Sequence, residues 1–446
     1  MGKEHKNLAL AATIICLVVA LLHTLSSPFE SWKLRLTNGR DTVHGEDTYA
    51  EVKEEEQIQP LRRLVRGEER IQLETTGFSC HSDLHTDLCV ANKPVRIDNN
   101  GLSVYITGFE AKDEQKIRPY ARNDDPTAME RVTALQIIHG NSTPPPCHYT
   151  HNDPAMIFSS GGFTGNLFHE INEVIIPLFL TSRHFQSHLH FVITDFKPWW
   201  VSKYNKIISY LSHYKVINPA ADTDVHCFPG AVIGLMYHDN LAINRTEIPG
   251  GYSMFDFRHF LRQSYNLKIK HVSEIEKPVL VLISRRKSRK FLNEIEMVEM
   301  MEELGFQVIT AKPNRMSNLD KFAEVLNYCS VMIGAHGAGL TNEVFLPDGA
   351  VMVQVVPLGL EWASANYYGD PTTKMGINYL EYKIEAEESS LLDQYGPDHP
   401  VIADPKSIFL QGYDAARSVY VDGQNMKINV VRFKETLVQA MKLVGR

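Results

Sequence analysis

Short apolar runs alternate with amphipathic stretches along the chain from about residue 153 onward. The apolar runs predict buried strands at 155–159, 190–194, within 226–235, and at 278–284, 306–310, 330–333 and 350–356. Near-continuous apolar strands separated by helices are typical of parallel sheets covered on both faces. The pattern therefore predicts an α/β fold with two Rossmann-like, doubly wound domains, 77–272 and 273–446, that face each other across a cleft.

The stretches between these strands place apolar residues three and four positions apart and so predict helices. The first covers 166–183, after a glycine-rich turn, and the second covers 199–212. A third covers 291–304 and ends at Gly305, which suits a helix C-terminus. A fourth is predicted to begin at a capping box formed by Ser317 and Asp320.

The N-terminal 76 residues follow a different pattern. Residues 8–25 are 18 residues without Asp, Glu, Lys or Arg, and a helix of that length spans about 27 Å, close to the hydrocarbon core of a bilayer. A cleaved signal peptide is the alternative, but the run is long and no clear cleavage site follows, which favours an uncleaved signal anchor. Residues 1–7 would then be a cytoplasmic tail and 26–76 a polar luminal stem.

Composition and cysteine usage agree with a luminal globular protein. Hydrophobic residues make up 43% of the 446 residues and the net charge is −8, which excludes a disordered chain and gives no reason to expect a nucleic acid partner. Sequons at Asn141 and Asn244 predict N-glycosylation. Six cysteines suit a few bridges in a large core. Cys80–Cys89 is the expected disulfide, Cys147 and Cys227 are further candidates, and Cys16 and Cys329 are expected to be free thiols.

A glycine-rich segment, GAHGAGLTN at 334–342, lies between a predicted strand and helix. Small residues let the backbone approach a phosphate, and free N–H groups at the helix start bind anions, so His336, Gly337, Ala338 and Gly339 are candidate phosphate-binding residues. The segment matches neither the dinucleotide fingerprint nor a P-loop. A packing turn without ligand, with His336 in the core, is the alternative.

A basic segment follows the predicted strand 278–284, with five cations among the six residues 285–290. Arginine presents a planar fork that binds phosphate through two hydrogen bonds, so Arg285 and Arg289 are candidate diphosphate ligands. An exposed basic turn is the alternative for this segment by itself. Together, the basic and glycine-rich segments predict a diphosphate site.

His169, Asn172 and Glu173 are spaced to share one helix face in the first domain. A histidine beside a carboxylate can act as a general base, although a solvent-exposed polar face is an equal alternative. Asp222-Thr223-Asp224 is a triplet that holds a metal in some glycosyltransferases, but here it precedes a strand rather than ending one. We therefore expect no metal site.

Three segments of the chain resemble glycosyltransferase family 61, in its plant xylan-decorating branch. They are GGFTGNLFHEINEVIIPLF (161–179), ISRRKSRKFLNE (283–294) and IGAHGAGLTNEVFLPDGAVMVQVVP (333–357). The resemblance implies a GT-B fold, inverting transfer from a UDP-sugar without a bound metal, and a type II protein of the Golgi membrane with its catalytic domain in the lumen.

The resemblance also implies roles for individual residues. Arg285, Arg289 and the His336–Gly339 loop resemble UDP-binding segments, and Glu361 is a candidate for binding the ribose hydroxyls. His169 matches the family's histidine near the reaction centre and Glu173 its acidic neighbour. We expect His169 to be the base and Glu173 to orient it.

The activity that this resemblance favours is transfer of α-1,3-linked arabinofuranose from UDP-arabinofuranose to xylan. A xylan β-1,2-xylosyltransferase that uses UDP-xylose is the closest alternative, because the sequence does not identify the pentose. A non-catalytic xylan-binding scaffold is the alternative of another class. The expected partners are the UDP-pentose, xylan, the Golgi membrane and other xylan-synthesis enzymes.

Overall fold

Three β-sheets form the framework of the protein in a computed structural model that describes residues 58–107, 113–140 and 143–446. Their strands, in chain order, are β1 Phe78–Ser82, β2 Asp87–Ala91, β3 Val95–Asp98, β4 Ser103–Ile106, β5 Asp113–Ile117, β6 Leu135–His139, β7 Tyr149–Thr150, β8 Ala155–Ser159, β9 His190–Thr194, β10 Val225–Phe228, β11 Ala231–Ile233, β12 Val279–Ile283, β13 Gln307–Ala311, β14 Val331–Ala335, β15 Val351–Val356 and β16 Asn378–Lys383.

The C-terminal half contains a parallel sheet, as the sequence predicts. Sheet C has the order β13-β12-β14-β15-β16, and every neighbouring pair is parallel. The strands β12, β14 and β15 are buried along nearly their whole length, which accounts for their continuous apolar runs. The edge strand β16 was not predicted, because its residues are mostly half-exposed and polar.

The N-terminal half differs from the predicted doubly wound domain, since both of its sheets are mixed. Sheet A has the order β1-β2-β11-β8-β9, in which β8, β9 and β11 are parallel while β1 and β2 are antiparallel. Sheet B has the order β5-β6-β4-β3-β10-β7 and is mainly antiparallel. The sequence pattern missed β1 to β6 because these strands have only four or five residues each, and most of them leave at least one of those residues half-exposed or exposed. An α/β fold with mixed sheets is therefore the architecture.

Helices connect the strands. The α-helices are α1 Gly67–Thr76, α2 Pro126–Met129, α3 Leu167–His169, α4 Ile176–Ser182, α5 Pro198–Lys203, α6 Asn205–Leu211, α7 Met254–Tyr265, α8 Glu294–Glu303, α9 Pro313–Met316, α10 Leu319–Asn327, α11 Glu361–Ser364, α12 Asp370–Lys374, α13 Ser390–Tyr395, α14 Pro400–Ala403, α15 Pro405–Phe409, α16 Tyr413–Ala416 and α17 Val430–Leu443. The π-helical turns are Glu170–Ile175, Ala365–Gly369 and Arg417–Val421. The 3₁₀ segments are Arg183–Phe185, Pro249–Gly251, Val272–Glu274, Ala338–Phe345 and Ala386–Glu388.

The end of the predicted stem belongs to the folded unit. Leu61, Leu64 and Leu73 are buried in the main hydrophobic cluster, and α1 precedes β1 directly. The sequence did not predict this, because the leucines stand among charged residues and α1 buries only one of its residues, too few for a recognisable apolar stripe. The predicted anchor at 8–25 lies outside the described residues, and none of the helices that the structure describes is long and apolar enough to cross a membrane.

One hydrophobic cluster extends through both halves of the folded unit. It includes Phe158 and Ile171 from the N-terminal half together with Met332 and Leu340 from the C-terminal half. The boundary predicted at residue 272 therefore separates the sheets, while their helices share a core. Such a shared core fixes the helices of one half against the loops of the other.

Two disulfides and one cap complete the comparison with the sequence. Cys80 pairs with Cys89 across β1 and β2, as predicted, and the second bridge joins the remaining two candidates, Cys147 and Cys227. Cys329 is a buried free thiol, also as predicted. The predicted capping box before α10 is wrong, because the Asn318 side chain accepts from the Lys321 N–H.

Candidate active site

A glycine turn at the end of β8 opens the first part of the site. Gly162 has φ +56°, and a Cβ there would lie 2.3 Å from the Tyr120 ring, so only glycine fits without a shift. The close approach lets the Phe163 N–H donate to the Tyr120 hydroxyl, at 3.3 Å. The turn thus places Tyr120 over the helical segment that follows.

That helical segment contains His169 and Glu173, and it is π-helical from Glu170 to Ile175. His169 Nδ1 lies 2.5 Å from Glu173 Oε1. The Glu173 carboxylate has no exposed surface, and it also accepts from the Tyr120 hydroxyl, at 2.6 Å, and pairs with Arg122 Nη1, at 3.2 Å. The alternative of a solvent-exposed polar face is therefore wrong for Glu173, while His169 keeps about a fifth of its side chain exposed.

Arg122 and Tyr120 hold the charge of Glu173 in place. Burial lowers the pKa of Arg122, but Glu173, Asp124 and two tyrosines more than offset this and raise the pKa overall. Burial, and then the charge of Glu173, raise the pKa of the Tyr120 hydroxyl, so it stays protonated and donates. With Glu173 bound to His169 Nδ1, the other ring nitrogen, Nε2, is left to exchange a proton with a ligand.

A second buried carboxylate, Glu170, fastens the start of this segment. It accepts from the Gly165 N–H at 3.0 Å and from the Tyr204 hydroxyl at 2.6 Å, and it pairs with Lys203. These contacts tie the glycine turn to α5 and α6. The segment that carries His169 is thus anchored on both sides.

The diphosphate candidates Arg285 and Arg289 converge on one glycine. A Cβ on Gly337 would lie 2.7 Å from Arg285 Nη1 and 2.9 Å from Arg289 Nη1. Arg289 Nη1 donates to the His336 carbonyl at 2.7 Å, and Arg285 Nε donates to the Ser288 carbonyl at 2.9 Å. The basic segment after β12 and the glycine-rich segment after β14 therefore form one site at the carboxyl edge of sheet C.

Neither arginine forms an ion pair with a carboxylate of the described residues. Burial, and then the neighbouring charge of Arg285, lower the pKa of Arg289 to about 10, while burial chiefly lowers that of Arg285. Arg289 Nε is buried without a hydrogen-bond partner in the described chain, and its backbone has φ +53°. Asp422 acts on both arginines from a distance but forms no ion pair with either. Two like charges held together without a paired carboxylate favour binding of an anion.

His336 is a neutral part of this site. Burial, followed by Arg289 and Arg285, lowers its pKa to about 3. The Tyr379 hydroxyl donates to Gln354 Oε1 at 3.1 Å, which turns the Gln354 amide so that Nε2 donates to His336 Nδ1 at 3.0 Å. The ring proton of His336 is then on Nε2. His336 is buried, as the alternative of a packed core residue requires. Its backbone carbonyl nevertheless accepts a hydrogen bond from Arg289, so the residue is also part of the site.

The two parts of the site adjoin. The short helix α3, which ends at His169, contacts the 3₁₀ segment Ala338–Phe345. Phe168 packs edge-on against the Tyr367 ring, at 5.3 Å between centroids. The neighbouring Tyr368 hydroxyl donates to the Gly337 carbonyl at 3.1 Å. The candidate base and the candidate anion site are therefore linked through the rings of Phe168 and Tyr368.

The remaining candidates lie apart from this centre. Glu361 is exposed at the start of α11, beyond the end of β15, and its Oε1 accepts from the Gly359 N–H at 3.2 Å. Asp222 and Asp224 are paired with His226 and His148, at 3.0 and 3.1 Å. Within the described ranges no group of three or more His, Cys, Asp or Glu residues is arranged to hold a metal.

The two sequons have different outcomes. Asn244 is exposed, as a glycosylated residue must be, and its Nδ2 donates to Glu247 Oε1 at 2.6 Å. Asn141 lies outside the described residues. Glycosylation at both stays a prediction.

Sequence reasoning missed several side chains that hold the site together. Tyr120 and Arg122 precede α2, while Gln354 and Tyr368 lie beyond the motif segments or at their end. Each acts through contacts with residues 18 to 53 positions away. No local pattern marks such residues, because the fold alone brings them to the site.

Comparison with known proteins places this arrangement in a family. The family model described as Glycosyltransferase 61 matches residues 167–353, a range that contains His169, the basic segment and the glycine-rich segment. The chain belongs to glycosyltransferase family 61.

Its similar relatives are named as glycosyltransferases, and one of them is named for xylan. It is 39% identical over 369 residues to the alpha-1,3-arabinosyltransferase XAT3 of Oryza sativa subsp. japonica, covering 81% of this chain and 64% of that one. It is 33% identical over 400 residues to the xylan glycosyltransferase MUCI21 of Arabidopsis thaliana, covering 84% and 79%. It is 36% identical over 364 residues to the beta-1,2-xylosyltransferase XYXT1 of Oryza sativa subsp. japonica, covering 80% and 78%. The chain thus spans somewhat less than two thirds of the arabinosyltransferase that it matches.

Proposed function

We propose that this protein is a glycosyltransferase that transfers a pentose from a UDP-activated donor to xylan. The observation that carries the proposal is the convergence of Arg285 and Arg289 on Gly337 beside the helix that ends at His169. The names of the similar relatives support xylan as the acceptor and a pentose as the sugar.

On the donor side, the diphosphate binds between the two guanidinium groups and the backbone of the glycine-rich segment. Gly337 leaves space for it, since a side chain there would occupy the position between the arginine terminal nitrogens. The leaving diphosphate gains negative charge as the bond to the sugar breaks. Buried arginines stabilise that charge in the transition state without rearrangement, so we propose that the reaction needs no metal.

On the acceptor side, His169 removes the proton from a xylan hydroxyl. The acceptor oxygen then forms a bond to the anomeric carbon on the face opposite the diphosphate, and UDP leaves as the C1–O bond breaks. Glu173 holds the ring through Nδ1 and stabilises the imidazolium that forms. A β-linked UDP-arabinofuranose gives an α-linked product by this inversion.

Arabinofuranose is the first choice of sugar, with α-1,3 linkage, because the relatives with that printed name are 39% and 38% identical. Xylose in β-1,2 linkage is the second choice, because relatives named for that activity are 36% identical. The non-catalytic scaffold remains as a third hypothesis. A protein that binds xylan alone has no need of an unpaired arginine site.

We further propose a GT-B arrangement and a type II location in the Golgi membrane. Two disulfides in the folded unit agree with an oxidising lumen. Complexes with other xylan-synthesis enzymes would form in the same compartment.

The test is a transfer assay with full-length protein, since truncation at residue 76 would remove buried residues of the core. UDP-arabinofuranose, UDP-xylose and UDP-N-acetylglucosamine are each supplied with xylo-oligosaccharides, and the product linkage is determined. We expect pentose transfer from one donor. Failure of every donor to give product, together with no thermal shift on adding UDP, would favour the scaffold.

A further inference from the structure

A pocket of about 620 Å³ opens beside the first part of the site. Its walls come from residues 64–69 around the start of α1, from 81–88 between β1 and β2, and from 236–249 after β11. Because β11 and β8 are parallel neighbours, their carboxyl ends lie at the same edge of sheet A. The pocket and the glycine turn that leads to His169 are therefore at one edge.

The pocket wall is hydrogen-bonded to the segment that carries the candidate base. His238 Nε2 bonds to the Asn172 carbonyl at 3.0 Å, and the Leu241 N–H donates to Asn172 Oδ1 at 2.8 Å. Burial lowers the pKa of His238 to about 4, although the carbonyls of Ala242 and Asn172, which accept from its two ring nitrogens, act in the opposite direction. These contacts hold residues 238–241 against the π-helical turn.

A chain of polar contacts continues from the pocket to Glu173. The His85 ring lies 4.3 Å from the Tyr237 ring, and His85 Nδ1 lies 3.1 Å from Asp124 Oδ1. Asp124 Oδ1 in turn lies 3.9 Å from Arg122 Nε, and Arg122 pairs with Glu173. The aromatic wall of the pocket is thus two side chains away from the carboxylate that orients His169.

The chemistry of the walls differs from that of the diphosphate site. Four carboxylates border the pocket, from Glu69, Asp83, Asp239 and Glu247, and the arginine among its lining residues, Arg66, donates to the Thr246 carbonyl at 3.0 Å. An acidic pocket repels a nucleotide but accepts hydrogen bonds from the hydroxyls of a neutral sugar. Tyr237 and His85 contribute adjacent aromatic rings to the wall, with centroids 4.3 Å apart, and such rings can contact the C–H groups of a sugar.

One group in the pocket lacks a partner. The Tyr237 hydroxyl, on a half-buried ring, makes no hydrogen bond with any residue that the structure describes. Burial raises the pKa of this hydroxyl to about 12, so it remains a donor at any pH of interest. A half-buried hydroxyl without a protein partner is suited to a ligand oxygen.

We propose that this pocket is the acceptor subsite, in which Tyr237 and His85 bind backbone sugars of xylan next to the residue that His169 activates. The proposal rests on the proposed function. A volume of 620 Å³ is in the range of small-molecule sites, so the pocket holds a few sugar units of a longer chain. Acceptors that reach it will bind more tightly than short ones.

The experiment compares Tyr237→Phe and Tyr237→Ala with the wild type in full-length protein, using xylotriose and xylohexaose as acceptors. Loss of one hydrogen bond of about 0.5–1.5 kcal/mol corresponds to a rise in KM of roughly 2- to 10-fold. We expect Tyr237→Phe to raise the KM of xylohexaose by that factor and Tyr237→Ala by more. The KM of the UDP-sugar and the affinity for UDP should not change.

Tyr210→Phe is the matched control, because its hydroxyl donates to the exposed Gln263 outside this pocket. It should leave both KM values unchanged. Melting temperatures of all variants check that they fold. An unchanged xylohexaose KM in both Tyr237 variants, or a change in the UDP-sugar KM instead, would overturn the subsite. A wild-type protein that transfers no sugar to any xylo-oligosaccharide would overturn the proposed function itself.

Discussion

His169 binds Glu173 through Nδ1, at 2.5 Å from Oε1, while Glu173 itself has no exposed surface. The Glu173 carboxylate is therefore not available to a substrate, whereas the partly exposed His169 ring is. Tyr120 and Arg122 occupy the other directions around Glu173. This relationship supports the proposed roles, in which the histidine transfers the proton and the glutamate orients the histidine.

We expect His169→Ala to reduce turnover by about a hundred- to ten-thousand-fold, the usual effect of removing a general base. UDP affinity should be nearly unchanged, since His169 bonds to Glu173 and to neither arginine. The measurements are kcat with a xylo-oligosaccharide and calorimetry with UDP. Near-normal turnover with poor UDP binding would move His169 to the donor side.

Glu173→Gln tests the orienting role separately. The amide keeps the shape of the side chain but loses the charge that pairs with Arg122. We expect turnover to fall while KM for the donor stays constant, because His169 loses the charged carboxylate that orients its ring. Turnover equal to that of the wild type would contradict this role.

Arg285→Ala and Arg289→Ala should each weaken UDP binding by about 1.5–3 kcal/mol, as expected for hydrogen bonds to a charged group. UMP lacks the second phosphate, so its affinity should fall less. Calorimetry with both nucleotides separates the contribution of the second phosphate from that of the rest of the nucleotide. The control is Arg286→Ala, a substitution of an exposed neighbouring arginine. Equal losses for UMP and UDP would mean that the arginines do not bind the β-phosphate.

Activity should survive chelation, because two arginines are present to stabilise the leaving diphosphate and Asp222 is paired with His226. Transfer is measured with excess EDTA and again after Mn²⁺ is restored. Abolition by EDTA with recovery on adding Mn²⁺ would establish a metal-dependent reaction instead.

Stability should fall as the pH is lowered from about 6.5 to about 4. Burial lowers the pKa of His190 and His238 to about 4 and that of His336 to about 3. In this range the unfolded chain binds more protons than the folded one, so acid favours unfolding. Chemical denaturation at several pH values measures the slope, which His190→Gln should reduce. An equal slope in that variant would contradict the contribution of His190.

Glu343 contributes a pH dependence of the opposite sign. Burial raises its pKa to about 8, so the folded state binds the extra proton between about pH 4.5 and 8. The contribution of Glu343 to stability therefore falls as the pH rises through that range, and below pH 6.5 it partly offsets the contribution of the histidines. We expect Glu343→Gln to reduce this loss between pH 6.5 and 8.5. Parallel curves for variant and wild type would mean that Glu343 ionises normally.

The sequence was sufficient where structure is local. Continuous apolar runs identified β8, β9, β12 and β15. These strands are buried on both faces, so nearly every residue in them is apolar and the run can be recognised in the sequence. The anion site was identified from two short segments, one rich in glycine and one rich in arginine. Each segment contributes residues that are close together in the chain, so the sequence alone shows them as a group.

The sequence alone did not identify the strands at 78–139 or the folded end of the predicted stem. Those strands have only four or five residues each and most of them are not buried along their whole length, and the few buried leucines at 61–73 stand among charged residues. Which residues of these segments are buried can be recognised only when the elements that pack against them are known.

What the sequence by itself determined is a set of local chemistries: a histidine one helical turn before a glutamate, two arginines after a strand, and a glycine-rich turn. The tertiary structure decided which of them meet. Tyr120 and Arg122 reach Glu173 from about fifty residues away, and Arg289 binds the His336 carbonyl across 47 positions. The physical reason is that burial and charge compensation depend on every element packed around a group, whereas a sequence pattern records only its neighbours in the chain.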